Sequence, residues 1–375
     1  MAISTTVPPR PAAATHRGRL HRVLHPGAWW IWALGMATAA SRTTNPLLLG
    51  LVIAVVAFVV AARRTDAPWA RGFRYYLFLA VFVVAVRMLF RMLFDGQAGA
   101  TVLFTLPEVP LPDAAAGVRI GGPVSAEGML TAFYDGLRLA TLLVCIGAAN
   151  ALANPKRLLA SLPGALHELG VTITVALTIA PQLVESAQRV HRARRLRGEV
   201  GRRTRLFREV AVPVMTDALD RSLLLAAAMD SRGYGRHGVV GARERRRTGA
   251  LVLGGLAGVC IGVYGVLDAT TPRALGLPML VVGGALAGVG FVLAGRRVQR
   301  TRYRPDPWSF AEWGVTACAA IVTLAMVAIG HSDPAALDAT LDPLAWPTLP
   351  VTAALAVLVG ALPAWIAPPA PGGRR

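Results

Sequence analysis

Two arginines, each followed by glycine and preceded four positions earlier by alanine, have the types and spacing for specific recognition chemistry. They form the patterns Ala193-x-x-x-Arg197-Gly198 and Ala228-x-x-x-Arg232-Gly233. The planar guanidinium of arginine binds a carboxylate through two parallel hydrogen bonds, which the ammonium of lysine does not reproduce. One such charge-assisted bond contributes about 1.5–3 kcal/mol. Both sites therefore have residue types that could bind a carboxylate.

Position along the chain separates these two copies from other matches to the pattern. Alanine and arginine four residues apart share one helix face, and a glycine just past a helix adopts the left-handed conformation that closes its last turn. The pattern also occurs at 13–18 and 67–72, in a basic tail and a short loop without a long helix to present it. A second interpretation stays open, in which the arginines only complement the dipoles of the helices that they end.

Asp217 and Asp220 form a second candidate site. Carboxylates in the spacing D-x-x-D can hold magnesium, which would suit an intramembrane enzyme that transfers a diphosphate group. Such an enzyme needs further acidic residues, and no second acidic cluster is evident in the sequence. Asp217 and Arg221 also form an ordinary i,i+4 ion pair on a helix. This enzyme is the alternative to a protein that acts through the two arginines.

Other reactive motifs are incomplete. His167 and Glu168 begin a zinc-protease pattern, but Val171 stands where the second histidine is required. The single lysine, Lys156, does not follow a glycine-rich phosphate loop, so the sequence contains no G-x-x-x-x-G-K-[ST] nucleotide-binding motif. The glycine-rich run at 281–290 is typical of closely packed transmembrane helices. We therefore predict no catalytic residue, cofactor or metal site in this chain.

The composition is that of a membrane protein. Of 375 residues, 54% are hydrophobic and only 16% are charged, against about 25% charged residues in a soluble domain. The net charge of +19 could suit nucleic-acid binding. However, the basic run RERRRT at 243–248 lies directly before an apolar stretch, where membrane topology accounts for it. We therefore expect the lipid bilayer, and no nucleic acid, as a partner.

Eight apolar stretches can cross about 30 Å of hydrocarbon, some with help from flanking residues. They lie at 24–41, 46–62, 73–94, 129–152, 248–267, 274–294, 308–330 and 347–366. Asn45 and Pro46 supply a turn between the first two, which could instead form a shallow hairpin. The proline-containing segment 95–128 is predicted to be an irregular surface loop. The predicted fold is an all-α polytopic helical membrane protein with about eight, and between six and eight, transmembrane helices.

Basic residues concentrate in alternate connections, as the positive-inside rule requires. The basic connections are the tail before 24, the loop 63–74, the segment 154–247, the loop 295–304 and the C-terminal end. Both termini of this multi-pass protein are therefore predicted to be cytoplasmic.

Three arginines fall inside the predicted spans or near their outer ends, where an unpaired charge is costly. They are Arg87, Arg91 and Arg138. Asp95 lies one turn beyond Arg91, and Asp135 lies one turn short of Arg138. We expect these aspartates to be their partners.

The segment 154–247 breaks the membrane pattern. A helix there is predicted to end at Gly198, with Glu185 and Arg189 as an i,i+4 pair on its charged half. A second long helix is predicted to bend at Pro213 and to end at Gly233. One stripe of this second helix is apolar, comprising Leu219, Leu223, Ala226 and Ala227.

Several stretches carry a resemblance to a known family. They are LHPGAWWIW, TTNPLLL, GLRLATLLVCIGAANALANPKRLLASL, IAPQLVESAQRVHRARRLRG and AAAMDSRGYG. Together they resemble the transmembrane T component of energy-coupling factor transporters, the CbiQ-like family, from about residue 24 to 295. The histidine-proline opening without a preceding aspartate and the two spans after residue 300 depart from the more compact members.

The resemblance implies a non-catalytic subunit that joins two cytoplasmic ABC-type ATPases to a separate membrane-embedded substrate-binding subunit. Arg197 and Arg232 would each dock into a groove on one ATPase, while Ala193 and Ala228 pack closely and Gly198 and Gly233 end the helices. The substrate would be a vitamin or a transition-metal ion such as cobalt or nickel.

These inferences divide the chain into five segments. They are a disordered basic tail at 1–23, a transmembrane region at 24–152 with about four spans, cytoplasmic coupling helices at 153–247, a second transmembrane region at 248–366 with about four spans, and a cytoplasmic tail at 367–375.

Overall fold

The computed structural model is built mainly of long helices. It describes residues 23–65, 70–94, 101–109, 120–162, 166–197, 203–233, 242–267, 272, 275–297, 308–340 and 345–369. The helices are α1 (Pro26–Ser41), α2 (Pro46–Arg63), α3 (Phe73–Phe94), α4 (Ala126–Leu152), α5 (Pro155–Ala160), α6 (His167–Leu196), α7 (Arg203–Ser231), α8 (Ala242–Leu267), α9 (Leu277–Arg297), α10 (Phe310–Ser332), α11 (Pro334–Leu337), α12 (Val351–Val359) and α13 (Pro363–Ile366). Two strands, β1 (Val102–Val109) and β2 (Ile120–Ser125), lie between α3 and α4.

Seven of the described helices are long and apolar enough to cross a membrane, which confirms a polytopic helical membrane protein. They are α2, α3, α4, α6, α8, α9 and α10. The predicted first span is the 16-residue α1, and the predicted last span is divided into α12 and α13. Helix α6 reaches the length and hydropathy of a span because its first half is apolar, although the sequence pattern assigned it to the coupling segment.

Helix starts follow local capping chemistry. The Asn45 side chain accepts a hydrogen bond from the backbone two residues later, and Pro46 occupies the first turn of α2, as the sequence predicts. Ser125 caps α4 in the same way. At α10, the Glu312 carboxylate accepts the backbone N–H of Ser309 at 2.8 Å. Local capping therefore fixes where α2, α4 and α10 begin.

The connection between α3 and α4 is a β-hairpin, so the prediction of an irregular loop at 95–128 was wrong for its described part. Strands β1 and β2 pair antiparallel, with Phe104 opposite Val124. Pro107 and Pro123 lie within the strands rather than between them. A two-stranded ribbon tolerates proline because each strand keeps one unpaired edge, where no ladder hydrogen bond is lost.

The chain divides into two compact units. The first contains residues 1–155 and 306–375, and the second contains residues 156–305. In the first unit, α1 packs against α4 and α10, while α2 packs against α4 and α12. Its fully buried core contains Trp32, Met36, Leu48, Leu49, Val56 and Met326.

Helices α1 and α10 run parallel. At their amino-terminal ends, the backbone N–H of His25 donates to the Glu312 carboxylate at 3.2 Å. In the middle, Gly35 lies directly against α10. At their carboxyl-terminal ends, the backbone N–H of Thr44 donates to the Leu337 carbonyl at 3.2 Å. The two helices therefore point in the same direction.

The last two helices cover α1 and α2. The indole N–H of Trp32 donates to the Gly360 carbonyl at 3.0 Å, where both residues are buried. The guanidinium of Arg63 donates to the Ala364 carbonyl through two nitrogens. The segment after α11 is thus an integral part of the first unit.

Two arginines of the predicted spans bond to groups on other helices. Arg87 pairs with Asp135 at 3.1 Å, and Arg138 donates to the backbone carbonyl of Ser41. The expected pairing of Asp135 with Arg138 was therefore wrong, because Asp135 reaches the neighbouring helix α3 instead. Asp95 lies outside the described residues.

Helices α8 and α9 of the second unit pack through glycines. Those of α8 that contact α9 are Gly255, Gly258 and Gly262. On α9, a methyl group at Gly283 would lie 2.5 Å from the backbone nitrogen of Val259, whereas Gly284 has open space beside it. Close approach of the two backbones replaces side-chain interdigitation here. The glycine-rich run 281–290 is confirmed as a packing surface.

Gly283→Leu is expected to separate α8 from α9, whereas Gly284→Leu should leave their packing intact. The leucine at 283 would overlap the α8 backbone, and overpacking of this kind costs about 1–3 kcal/mol. Thermal unfolding of the purified protein in detergent measures the effect. Gly284→Leu is the matched control because it carries the same change in helix propensity. Equal midpoints for the two variants would contradict the packing assignment.

Candidate docking site on helices α6 and α7

The first arginine pattern ends α6 as predicted. The backbone N–H of Arg197 donates to the carbonyl of Arg194 at 3.0 Å and to that of Ala193 at 3.3 Å, which closes the last turn. The side chains of Ala193, Leu196 and Arg197 are exposed, with 89% of Leu196 accessible. Gly198 lies outside the described residues. The end of α6 therefore offers a guanidinium, a small residue and an apolar side chain together.

The second pattern ends α7 with the predicted left-handed glycine. Gly233 has a φ of 74°, and its N–H donates to the Asp230 carbonyl at 2.9 Å. Ala228, Asp230 and Arg232 are exposed. Among the residues that the structure describes, neither Arg232 nor Arg197 has a carboxylate partner. Both guanidinium groups are exposed, so an external acidic group can reach them.

A charged cluster around Asp217 joins α6 to α7. The Ser186 hydroxyl donates to the Asp217 carboxylate at 2.7 Å, and the guanidinium of Arg221 donates to it at 3.0 Å. Arg189 lies 3.6 Å away, so it reaches across to α7 instead of serving only as a partner of Glu185 on its own helix. The Ser186 hydrogen bond, then the Arg221 hydrogen bond and the two arginine charges, hold the pKa of Asp217 below its usual value.

This cluster marks the crossing of two antiparallel helices. Beside it, Gln182 and Leu183 of α6 share a small cavity with Ser222 and Leu225 of α7, so earlier residues of α6 face later residues of α7. Arg197 lies about three helical turns beyond the crossing along α6, and Arg232 lies about four turns beyond it along α7. The two arginines are thus brought to opposite ends of the helix pair, roughly 40 Å apart along the helix axes.

The predicted apolar stripe of α7 faces outward. Leu219 and Leu223 are exposed, as are Met215 and Leu224 nearby. The face of α7 that meets α6 is instead formed by Asp217 and its neighbours. This exposed stripe is an apolar surface adjacent to the crossing.

The arrangement does not favour the diphosphate-transferring enzyme. Asp217 is surrounded by two guanidinium groups and a hydroxyl, which satisfy its charge without a cation. Within the described ranges, no group of three or more histidine, cysteine or acidic side chains is arranged to hold a metal ion.

The fold and these helix ends define a multi-pass helical membrane protein with a pair of crossed helices whose tips present arginine. The family model described as CbiQ, cobalt transport protein, matches residues 17–239, which is more than half of the chain. The chain therefore belongs to the CbiQ family. The matched residues include both arginine patterns and end before α8.

Three relatives carry the name energy-coupling factor transporter transmembrane protein EcfT. The protein from Thermanaerovibrio acidaminovorans is 32% identical over 127 residues, which are 30% of this chain and 47% of that protein. Those from Leuconostoc gelidum and Bacillus selenitireducens are 26% and 28% identical over 44% and 51% of this chain, and the match covers 71% of each relative. This chain thus spans about half the length of the first relative.

Asp217→Asn is expected to loosen the crossing at neutral pH. Folding lowers the pKa of Asp217, so its carboxylate stabilises the crossing fully above the ordinary aspartate pKa of about 3.9. This stabilisation is lost as the pH falls through the lower pKa that Asp217 has in the folded protein. Hydrogen exchange of α6 and α7, compared with wild type at each pH, should be faster in the variant at pH 7, and the difference should vanish in acid. Asp220→Asn, an exposed control outside the cluster, should match wild type throughout; equal loss of protection in both variants would exclude this role.

Proposed function

We propose that this chain is the energy-coupling transmembrane subunit of an ATP-driven importer of the energy-coupling factor type. It links two cytoplasmic ATPases to a separate membrane-embedded substrate-binding subunit, and it performs no catalysis itself. The observation that carries this proposal is the pair of exposed arginines at opposite ends of two crossed helices, in a chain of the CbiQ family.

The separation of the two tips supports two distinct ATPases. Arg197 and Arg232 lie roughly 40 Å apart along the helix axes, so one small groove does not reach both. Each guanidinium docks with an acidic group of one ATPase, and the adjacent Ala193 or Ala228 permits close contact. Closure of the ATPases on ATP then moves the two tips together and changes the crossing at Asp217.

The direction of α1 and α10 supports a location of α6 and α7 on one side of the membrane. These two helices are parallel. If α2, α3, α4, α8 and α9 each cross the membrane once, the chain between α4 and α8 must then cross it an even number of times or not at all. A single crossing by α6 would reverse α10. The coupling segment 153–247 is accordingly proposed to be cytoplasmic, together with both termini, in a bacterial cell membrane.

The outward-facing apolar stripe of α7 is proposed to contact the substrate-binding subunit. Leu219 and Leu223 are more than half exposed, and an amphipathic helix of this kind packs its apolar face against a partner or the membrane interface. Movement of the tips then tilts the bound subunit so that its substrate site faces the cytoplasm. The proposed substrate is a transition-metal ion such as cobalt or nickel, or a vitamin, and the description of the family model as a cobalt transport protein supports the first class.

The double variant Arg197→Glu with Arg232→Glu is expected to abolish uptake and to release the ATPases while the protein still inserts. Charge reversal turns two attractive contacts with acidic groups into repulsive ones. Uptake by cells that express the complete transporter and co-purification of the ATPases with the tagged chain measure the two effects.

Arg192→Glu with Arg195→Glu is the control of equal charge, because both residues are exposed on the last turns of α6 but lie outside the pattern. This control should retain the ATPases and most of the uptake. Wild-type uptake and normal ATPase binding in the Arg197 and Arg232 double variant would disprove the coupling role.

A further inference from the structure

The exposed strand β1 carries an apolar surface that the coupling role does not use. Val102, Leu103 and Phe104 are adjacent, and each exposes about half of its side chain, at 47%, 57% and 45%. The run TVLFTLP from 101 to 107 contains no charged residue. Adjacent apolar side chains on a protein surface mark a site of contact with a partner or a membrane.

Hydrogen bonds fix this strand to α4. The N–H of Ala126 donates to the Thr101 carbonyl at 2.9 Å, and the N–H of Thr101 donates to the Glu127 carboxylate at 3.1 Å. Strand β2 packs on α3 and α4 and buries Val124. Strand β1 is therefore held in a defined position, paired with the strand that packs on α3 and α4.

The two helices that flank the hairpin locate it at a membrane surface. Both α3 and α4 are long and apolar enough to cross, and the hairpin lies between the end of one and the start of the other. At the end of α3, Phe90 and Phe94 stack with ring centroids 5.5 Å apart and are both exposed. The lipid-facing apolar surface of α3 thus continues to the level of the hairpin.

We propose that Val102, Leu103 and Phe104 insert into the phospholipid leaflet at which α3 ends and form a shallow lipid anchor. The strand has one unpaired edge, whose backbone N–H and C=O groups require water or headgroup partners. The boundary between headgroups and acyl chains supplies these partners and also accepts apolar side chains, whereas the hydrocarbon centre does not. This anchor is independent of the proposed transport function.

The test places a fluorescent reporter on the strand of the full-length protein. Cys145, Cys260 and Cys318 are replaced by alanine, and Phe104→Cys or Leu103→Cys is labelled with the polarity-sensitive dye NBD. The protein is incorporated as one copy per nanodisc of phosphatidylethanolamine and phosphatidylglycerol, with nitroxide quenchers at carbon 5 or carbon 12 of the acyl chain, or with aqueous iodide.

Ala335→Cys on α11 is the matched control. It is exposed and lies between the exposed Asp333 and Asp338. Leu337 of α11 bonds to Thr44, just before α2. Because α2 and α3 cross the membrane in succession, the hairpin after α3 lies at the same membrane surface as α11. The labels at 103 and 104 should be quenched several-fold more by the carbon-5 nitroxide than by the carbon-12 nitroxide, and several-fold less by iodide than the label at 335.

Three results would overturn the anchor. Iodide quenching equal to that of position 335 would mean that the strand is in water. Protection from iodide that arises only after the ATPases and substrate-binding subunit are added would make β1 a protein-docking surface. Stronger quenching from carbon 12 than from carbon 5 would contradict the shallow depth.

Discussion

The contact between Asp217 of α7 and Ser186 of α6 determines where the candidate docking residues lie. It holds two long helices together near their middle, with Arg189 and Arg221 on either side of the carboxylate. Because the helices are antiparallel, α6 leads from this contact to Arg197 in one direction, and α7 leads from it to Arg232 in the opposite direction. The geometry of docking thus depends on a polar contact that lies well away from both docking residues.

Hydropathy and capping residues predict most of the helices because the bilayer permits few alternatives. A segment that crosses hydrocarbon must satisfy its own backbone hydrogen bonds and present about 20 apolar residues. The same local chemistry predicts the ends of α6 and α7, where the left-handed Gly233 appears as expected. These features depend on neighbours within four residues, which the sequence displays directly.

Partners on different helices could not be predicted in this way. Asp135 and Arg138 have a spacing that suits a pair, yet Asp135 binds Arg87, and Arg138 binds the carbonyl of Ser41. Likewise, Arg189 contacts Asp217 on α7, although its i,i+4 spacing suggested Glu185 as its partner. The β-hairpin was missed because its prolines are typical of loops. In each case the deciding contact joins residues whose proximity exists only after folding.

Helices α10 to α13 lie beyond the residues matched by the CbiQ family, yet they complete the packing of α1 and α2. A gene shortened before codon 306 would encode a Trp32 whose indole has lost both the Gly360 carbonyl and helices that shield α1 from solvent. It would also leave α1 without the partner that runs parallel to it. Chimeras with shorter relatives should therefore exchange the beginning and the end of the chain together, since these distant parts of the gene form one physical module.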